Sequence, residues 1–404
     1  MTRLASRMSA VGASPTAEIS NKVRALRAAG HAVTNLGEGE LDFATPGAIA
    51  EAGIAAIRAG DTKYTAVSGT AQLKAAIATK FRTENGLAYE PSQIIAGAGA
   101  KQLIFNAFLA TLDAGDEVIV PAPYWVSYPD MIRLAGGVPV IVSTRAADRW
   151  VLQPQDLAAA ITPKTRWVVL NSPNNPTGSV YSPAEMKALT DVLERHPDIL
   201  VMADDIYEHV RFAGPFATPA ATAPALLART LTVNGVSKGY SMTGWRIGYA
   251  GGPAWLVSAM EILQSQSTSN PSTISQAAAI AALEGGTGFM TVWLETLRER
   301  CAIVMAAIEA TEGLEAAQPD GAFYVFADCR GLIGRITPGG QSLANDLDVA
   351  SFLLEDAHVG LVHGSAFGMP GYLRIAYAVD TEMLRDACRR ISASCAKLER
   401  RKAA

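Results

Sequence analysis

The chain has 404 residues, of which 49% are apolar and 18% charged, which excludes a disordered or fibrous protein and calls for more than one core. Its 34 basic and 38 acidic side chains leave a formal charge of −4 with no long run of one sign, which argues against nucleic acid or an anionic membrane as partner. The four cysteines, Cys301, Cys329, Cys388 and Cys395, form no CxxC pair and no Cys/His metal spacing, so free thiols, a reducing compartment and no metal are expected.

The first 22 residues are broken by Arg3, Arg7, Glu18 and Lys22 and contain no apolar signal-peptide core. The most apolar stretch, 94–112, is interrupted by Lys101, Gln102 and Asn106, short of the ~18 apolar residues of a membrane span. A cytoplasmic protein is expected. A helix is predicted over 19–29. Thr45-Pro46 opens another, with Thr45 as N-cap, Pro46 at the first position and Ile49, Gly53 and Ile57 along one face. Short apolar runs at 93–96, 117–120, 138–142, 167–170, 200–203, 231–233 and 247–250 read as strands covered on both faces. Ser182-Pro183-Ala184-Glu185 is a capping box ahead of Met186, Leu189 and Leu193. This is an α/β pattern: a large domain, residues 44–283, with a mostly parallel central sheet flanked by helices.

Beyond Leu283 the pattern changes to a long helix over 290–310, hairpin-like segments at 322–327 and 359–362, a strand over 372–378 and a final helix. Residues 284–404, with 1–43 packed on them, are expected to form a smaller α+β domain. The Gly/Pro-bearing stretch 331–340 reads as an exposed loop.

The polar motifs share a position, the end of a strand. Pro123-Tyr124-Trp125 follows the run ending at Val120, Asn171 to Gly178 the run ending at Leu170, Asp204-Asp205-Ile206-Tyr207 the run ending at Ala203, and Ser237-Lys238 the run ending at Val233. In open α/β sheets the carboxyl ends of the strands face the ligand crevice. Lys238 is an amine able to form a Schiff base, and Arg246, in Thr243-Gly244-Trp245-Arg246-Ile247-Gly248, is a guanidinium able to clamp a phosphate. Pyridoxal 5'-phosphate needs that pairing. It also needs a carboxylate for its ring nitrogen (Asp204), donors for its phenolate oxygen (Tyr207, Asn175), a stacking partner (Trp125) and amides for its phosphate, which the helix start after Gly97-Ala98-Gly99-Ala100-Lys101 can offer beside Ser237. Arg374 is the candidate clamp for a substrate α-carboxylate. Each residue alone has a plainer explanation: Asp204 or Asp205 as a helix cap, the Asn-Asn-Pro-Thr-Gly run as a turn, Trp125 as a core aromatic, Arg374 as a surface strand residue. Their common order and strand-end placement favour one cofactor.

The chain resembles fold-type I pyridoxal-phosphate enzymes of the class I/II aminotransferase family, and within it the bacterial aspartate aminotransferase branch. The resemblance runs from Ser14-Pro15-Thr16 to the final helix. It is carried by Gly39-Glu40-Leu41-Asp42-Phe43, Thr62-Lys63-Tyr64, Gly99-Ala100-Lys101-Gln102, Pro123 to Tyr128, Asn171 to Gly178, Asp204 to Glu208, Ser237-Lys238, Met242 to Gly248 and Gly321-Ala322-Phe323-Tyr324. It implies Lys238 as the Schiff-base lysine and Asp204 as partner of the ring nitrogen. Tyr207 and Asn175 would bond the phenolate, Trp125 would stack, and Gly99, Ala100, Lys101, Ser237 and Arg246 would hold the phosphate. Tyr64 would reach the phosphate of a neighbouring subunit, hence a homodimer with shared sites. Arg374, Asn175 and Gly39 would hold the α-carboxylate, and Lys101, Ser14 and Thr16 would favour an acidic side chain. Transfer of an amino group from L-aspartate to a 2-oxo acid such as 2-oxoglutarate is the leading expectation. An aromatic or broad-range aminotransferase, including the aspartate/prephenate type, is the alternative, with a C–S lyase behind it. Leu41 stands where the family usually has Pro, and Glu38 adds a carboxylate beside Gly39, which bears on substrate choice.

Overall fold

The computed structural model describes residues 4–400, so the first three and last four residues of the expected small domain lie outside it. Seven strands form the central sheet in the spatial order Ile94–Gly97, Gly248–Gly251, Thr230–Gly235, Leu200–Asp204, Thr165–Asn171, Glu117–Ala122, Val138–Ser143. Gly248–Gly251 runs antiparallel to both neighbours, and the remaining pairings are parallel.

Except at the edge strand Val138–Ser143, where Val138 and Ile141 are exposed against expectation, the apolar runs are double-sided because helices cover both faces. Val118, Val120, Trp167, Val169, Leu200 and Met202 pack on one side with Leu103, Ile104 and Phe108 of helix Ala100–Thr111. The alternating residues Ile119, Val168, Leu170 and Val201 face the other way, onto Met186, Leu189 and Leu193 of helix Pro183–Glu194. A strand's two-residue period sends neighbours to opposite faces, and both faces here are dry. The capping box is present: Ser182 Oγ accepts from the Glu185 amide and the Glu185 carboxylate accepts from the Ser182 amide.

A second core joins helices Met290–Glu309, Asp346–Asp356 and Thr381–Cys395 to strands Tyr324–Asp328 and Tyr372–Ala376. Helix Pro15–Ala28 sets Ile19 and Val23 against Leu354 of this region. All four cysteines are buried and unpaired. No helix among the described residues is long and apolar enough to cross a membrane.

Several local expectations need correction. Helix Gly47–Arg58 has Pro46, not Thr45, at its N-cap; the Thr45 hydroxyl instead donates to the Ser241 carbonyl at 2.8 Å and accepts from Trp245 Nε1 at 3.1 Å. The N-terminal helix begins at Pro15, ahead of the predicted 19, because proline fits a first helical turn. The 359–362 segment is no hairpin partner of 322–327. Val359–Gly360 pairs with Thr34–Asn35, Val362–His363 pairs with Tyr372–Ala376, and that strand pairs with Tyr324–Asp328. The 331–340 loop is not simply exposed: Leu332 is fully buried, and Arg335 is tied to the Gly331 carbonyl and to Glu312.

The switch in strand order falls between Thr165–Asn171 and Glu117–Ala122, where the chain has run outward to the sheet edge and returned. Parallel strands open a crevice at such a point, at their carboxyl ends. At that same edge three glycines lie side by side, Gly97 opposite Gly248 and Gly248 opposite Gly235. A methyl group on Gly248 would overlap the backbone of Gly99 and Ala100. The bare backbone therefore lets the start of helix Ala100–Thr111 settle against the turn that carries Lys238. Gly248→Ala should cost about 1–3 kcal/mol of stability, as overpacking does. Chemical denaturation checks this, and an unchanged midpoint would contradict the close approach.

Candidate active site

A cavity of about 480 Å³ opens at this edge. It is lined by side chains from the sheet ends, the N-terminal segment and the three-stranded sheet.

Lys238 follows strand Thr230–Gly235, and its amine donates to the Gly39 carbonyl. Burial pushes its pKa from 10.5 down to about 8; Glu40 opposes the shift, and the Arg374 and Arg246 charges add to it. Asp204 ends strand Leu200–Asp204 and is 4% exposed. Burial raises its carboxyl to about 6, against the Tyr128 hydroxyl, the Ile206 amide and the Lys238 charge, which all favour the ionised form. Asn171 sits opposite Asp204 in the sheet. Its amide nitrogen donates to the Asp204 carbonyl at 2.8 Å, and its oxygen accepts from the Asn175 backbone amide at 3.0 Å. The two strand ends are thus locked together. Tyr207 is buried, and its hydroxyl shares a 2.8 Å hydrogen bond with that of Tyr324.

Arg374 is no surface residue. It lies on strand Tyr372–Ala376 and is 2% exposed. Nη1 donates to Asn175 Oδ1 at 2.9 Å and Nη2 to the Gly37 carbonyl at 2.6 Å, while the guanidinium lies over the Tyr324 ring at 4.6 Å and the Phe367 ring at 5.1 Å. Nε has no partner, and Arg374 forms no ion pair with any acid among the described residues. A buried cation held only by neutral groups is costly and favours an incoming anion.

A second anion-favouring corner lies at the start of helix Ala100–Thr111. Gly99 caps it at φ +95°, and any side chain there would collide with the Arg246 guanidinium. Arg246 Nη1 donates to the Thr243 carbonyl at 2.8 Å and Nη2 to that of Ala98 at 3.2 Å, so its fork spans the loop. Ala100, Lys101, Ser237 and Arg246 line the cavity here. The Lys101 ammonium lies over the Trp125 ring at 4.9 Å, and burial with the nearby Arg246 charge lowers its pKa. It makes no ion pair with Glu38 or Glu40; Glu40 instead accepts from the Thr243 hydroxyl at 2.6 Å.

Ser14 and Thr16, hydrogen-bonded to each other at 2.9 Å, also line the cavity, as do Glu38, Gly39, Trp125 and Asn175. Two expected residues do not. Gly99 acts from behind, as the cap that makes room for Arg246. Tyr64 is 90% exposed and is not among the residues that line the cavity of its own chain. The sequence reading missed Tyr128, Asn171, Gly37 and Tyr324 as contacts of site residues. Asn171, Tyr128 and Tyr324 stood inside motifs already singled out, but the pattern did not show what they touch. Outside the cavity, Glu84, Glu208 and His209 converge, and the Lys80 ammonium meets the charge of Glu208.

These arrangements find close parallels. Residues 31–391 match the family model of aminotransferase class I and II. The chain belongs to that family. It is therefore an aminotransferase. It is 49% identical to an aspartate aminotransferase of Rhizobium meliloti, over 98% of this chain and 97% of that one. It is 51% identical to an aspartate/prephenate aminotransferase of Cereibacter sphaeroides, over 98% of this chain and all of that one. The crystal structure of the aspartate aminotransferase from Rhizobium meliloti superposes with a TM-score of 0.95 at 48% identity, covering 99% of this chain and 100% of that one. That from Thermus thermophilus with maleate gives 0.91 at 41%, covering 98% and 100%.

For this aminotransferase, labelling of Lys238 in the cofactor-free protein by an amine-directed reagent should rise with pH through about 8 and level above it. Peptide mass spectrometry across a pH series reads the midpoint. A midpoint near the ordinary 10.5 would mean that the cavity does not desolvate the amine.

Proposed function

We propose that the enzyme moves the α-amino group of an L-amino acid, L-aspartate first, to a 2-oxo acid, 2-oxoglutarate foremost, by a ping-pong course. The observation that carries the reading is Arg374. It is a buried guanidinium without a carboxylate partner among the described residues, sharing one cavity with a half-buried lysine of lowered pKa. An amino acid brings the carboxylate the arginine lacks and the amine that the chemistry acts on.

The cofactor we assign is pyridoxal 5'-phosphate, and the residues present fit it. The Gly99 cradle under Arg246, with Ser237 and the first helix amides, suits a phosphate, and the buried Asp204 suits a protonated ring nitrogen. When bound, this group supplies a carbonyl carbon that condenses with amines and a ring that draws electrons from substrate Cα. Lys238 would hold the carbonyl carbon at rest and act as the base that takes the proton from substrate Cα; its lowered pKa keeps a useful neutral fraction near neutral pH. Tyr207 and Asn175 would donate to the phenolate oxygen. Trp125 would cover the ring face. Arg374, with Asn175 and the backbone of Gly39, would fix the α-carboxylate and so aim the Cα–H bond at Lys238.

Lys101, Ser14 and Thr16 would receive a side-chain carboxylate. Lys101 has no acidic partner among the described residues, which supports this, and the Thermus thermophilus relative was crystallised with maleate, itself a dicarboxylate. A second reading, with prephenate as an acceptor, draws on the Cereibacter sphaeroides relative named aspartate/prephenate aminotransferase. We further infer a homodimer in which the exposed Tyr64 reaches the phosphate site of the partner subunit. A cytoplasmic setting is consistent with four unpaired cysteines. Residues 44–283 are proposed as the cofactor-binding domain, with 1–43 and 284–404 as the smaller one.

Arg374→Ala should lower kcat/KM for every amino acid by roughly a hundredfold, the scale of a lost bidentate charged pair. Steady-state kinetics on several substrates tests this, and a loss confined to one of them would contradict an α-carboxylate role. Lys101→Ala should cost aspartate about tenfold or more relative to phenylalanine. Equal losses would place Lys101 on the phosphate alone.

A further inference from the structure

Tyr128 lies outside the cavity, and the chemistry above makes no use of it. It opens the short helix Tyr128–Leu134 and is 1% exposed. Its hydroxyl donates to Asp204 Oδ2, and its ring meets the Trp125 ring edge-on at 5.2 Å between centroids. One side chain therefore touches both the carboxylate assigned to the ring nitrogen and the indole assigned to the ring face.

Asp204 has few other donors. Among the described residues its Oδ1 receives only the Ile206 amide, at a long 3.4 Å. The titratable groups around it are Tyr128, Lys238 from the neighbouring strand end, and Tyr207 and Asp205 from its own loop. Of these, only Tyr128 hydrogen-bonds its side chain. Burial pushes the Tyr128 phenol well above its usual pKa, so the proton stays on the tyrosine and the bond runs from phenol to carboxylate. A carboxylate this deeply buried stays ionised only when donors replace the water it has lost.

We propose that Tyr128 is a positioning residue acting through Asp204: its hydroxyl keeps that carboxylate ionised and aimed into the cavity, and its ring seats Trp125. Without the phenol, Asp204 takes up a proton near neutral pH and no longer holds a positive charge on the ring nitrogen opposite it. The inference rests on the cofactor reading, and the test below separates the two.

The test is equilibrium binding of pyridoxal 5'-phosphate to the cofactor-free protein, followed by fluorescence across a pH series. Tyr128→Phe keeps the ring and deletes the donor. It should weaken binding by about tenfold at neutral pH and move the acid limb of the affinity profile up by about one unit, a factor of ten per unit. Tyr249→Phe is the control: that tyrosine is fully buried, its hydroxyl has no partner, and its loss should move neither quantity. In an Asp204→Asn background, Tyr128→Phe should add almost nothing, because the hydroxyl acts through the carboxylate. If Tyr128→Phe folds poorly, 3-fluorotyrosine in place of Tyr128 keeps the shape and strengthens the donor; the acid limb should then move down. An unshifted acid limb in either variant, or an undiminished Tyr128→Phe effect on Asp204→Asn, overturns the inference while leaving the cofactor reading intact. Failure of the unaltered protein to bind overturns both.

Discussion

The site depends on an imbalance of charge. Arg374, Lys238, Lys101 and Arg246 line one cavity, whose only carboxylates among the described residues are Asp204, buried, and Glu38, exposed. No acid among the described residues pairs with Arg374, which is held by Asn175, a backbone carbonyl and two aromatic faces. Such a site is tuned to incoming anions, because each one that binds relieves a desolvated cation. The phosphate of the proposed cofactor and the carboxylates of a substrate are the anions assigned to it. Burial, with the neighbouring Arg374 and Arg246 charges, lowers the pKa of Lys238, as the base role proposed for it requires.

Holding those cations together takes a scaffold that brings distant segments into contact. The segment from Gly37 to Phe43 is the chief connector. Its Gly37 carbonyl accepts from Arg374, Gly39 from Lys238 and Phe43 from Ser241, while Glu40 accepts from Thr243. From its far side Asp42 makes a two-pronged ion pair with Arg300 of helix Met290–Glu309, at 2.7 and 2.9 Å. The turn that carries Lys238 and the region that carries Arg374 are therefore stitched to one strip of backbone. A shift of either is transmitted to the other.

Much of this was legible in the sequence, for definite reasons. The sheet was readable because its strands are covered on both faces and so leave almost unbroken apolar runs, as in Val118 to Val120 and Val201 to Ala203. The motifs were readable because strand-end residues such as Asp204 and Lys238 follow those runs directly. The paired roles were not. Whether Arg374 was buried or on the surface depends on packing by Phe367 and by the sequence-distant Tyr324, which the residues beside Arg374 do not reveal. Tyr128 touches Asp204 across two strand ends, a contact that no local spacing encodes. Thr45 looked like a helix cap but gives its hydroxyl to Ser241, a tertiary bond that outweighs the local preference. The 359–362 segment divides between two sheets because neighbouring residues find different partners, which alternation along one strand does not reveal.

The most direct measurement is a single-turnover titration of the cofactor-loaded enzyme with L-aspartate, L-glutamate, L-phenylalanine and L-arginine. Loss of the visible cofactor absorbance reports transfer of the amino group. The charge pattern of the cavity predicts fastest conversion by L-aspartate. Conversion led by L-phenylalanine or L-arginine would contradict an acid-selective site and turn the argument to Glu38 and Leu41. No conversion by any amino acid would contradict the assigned chemistry.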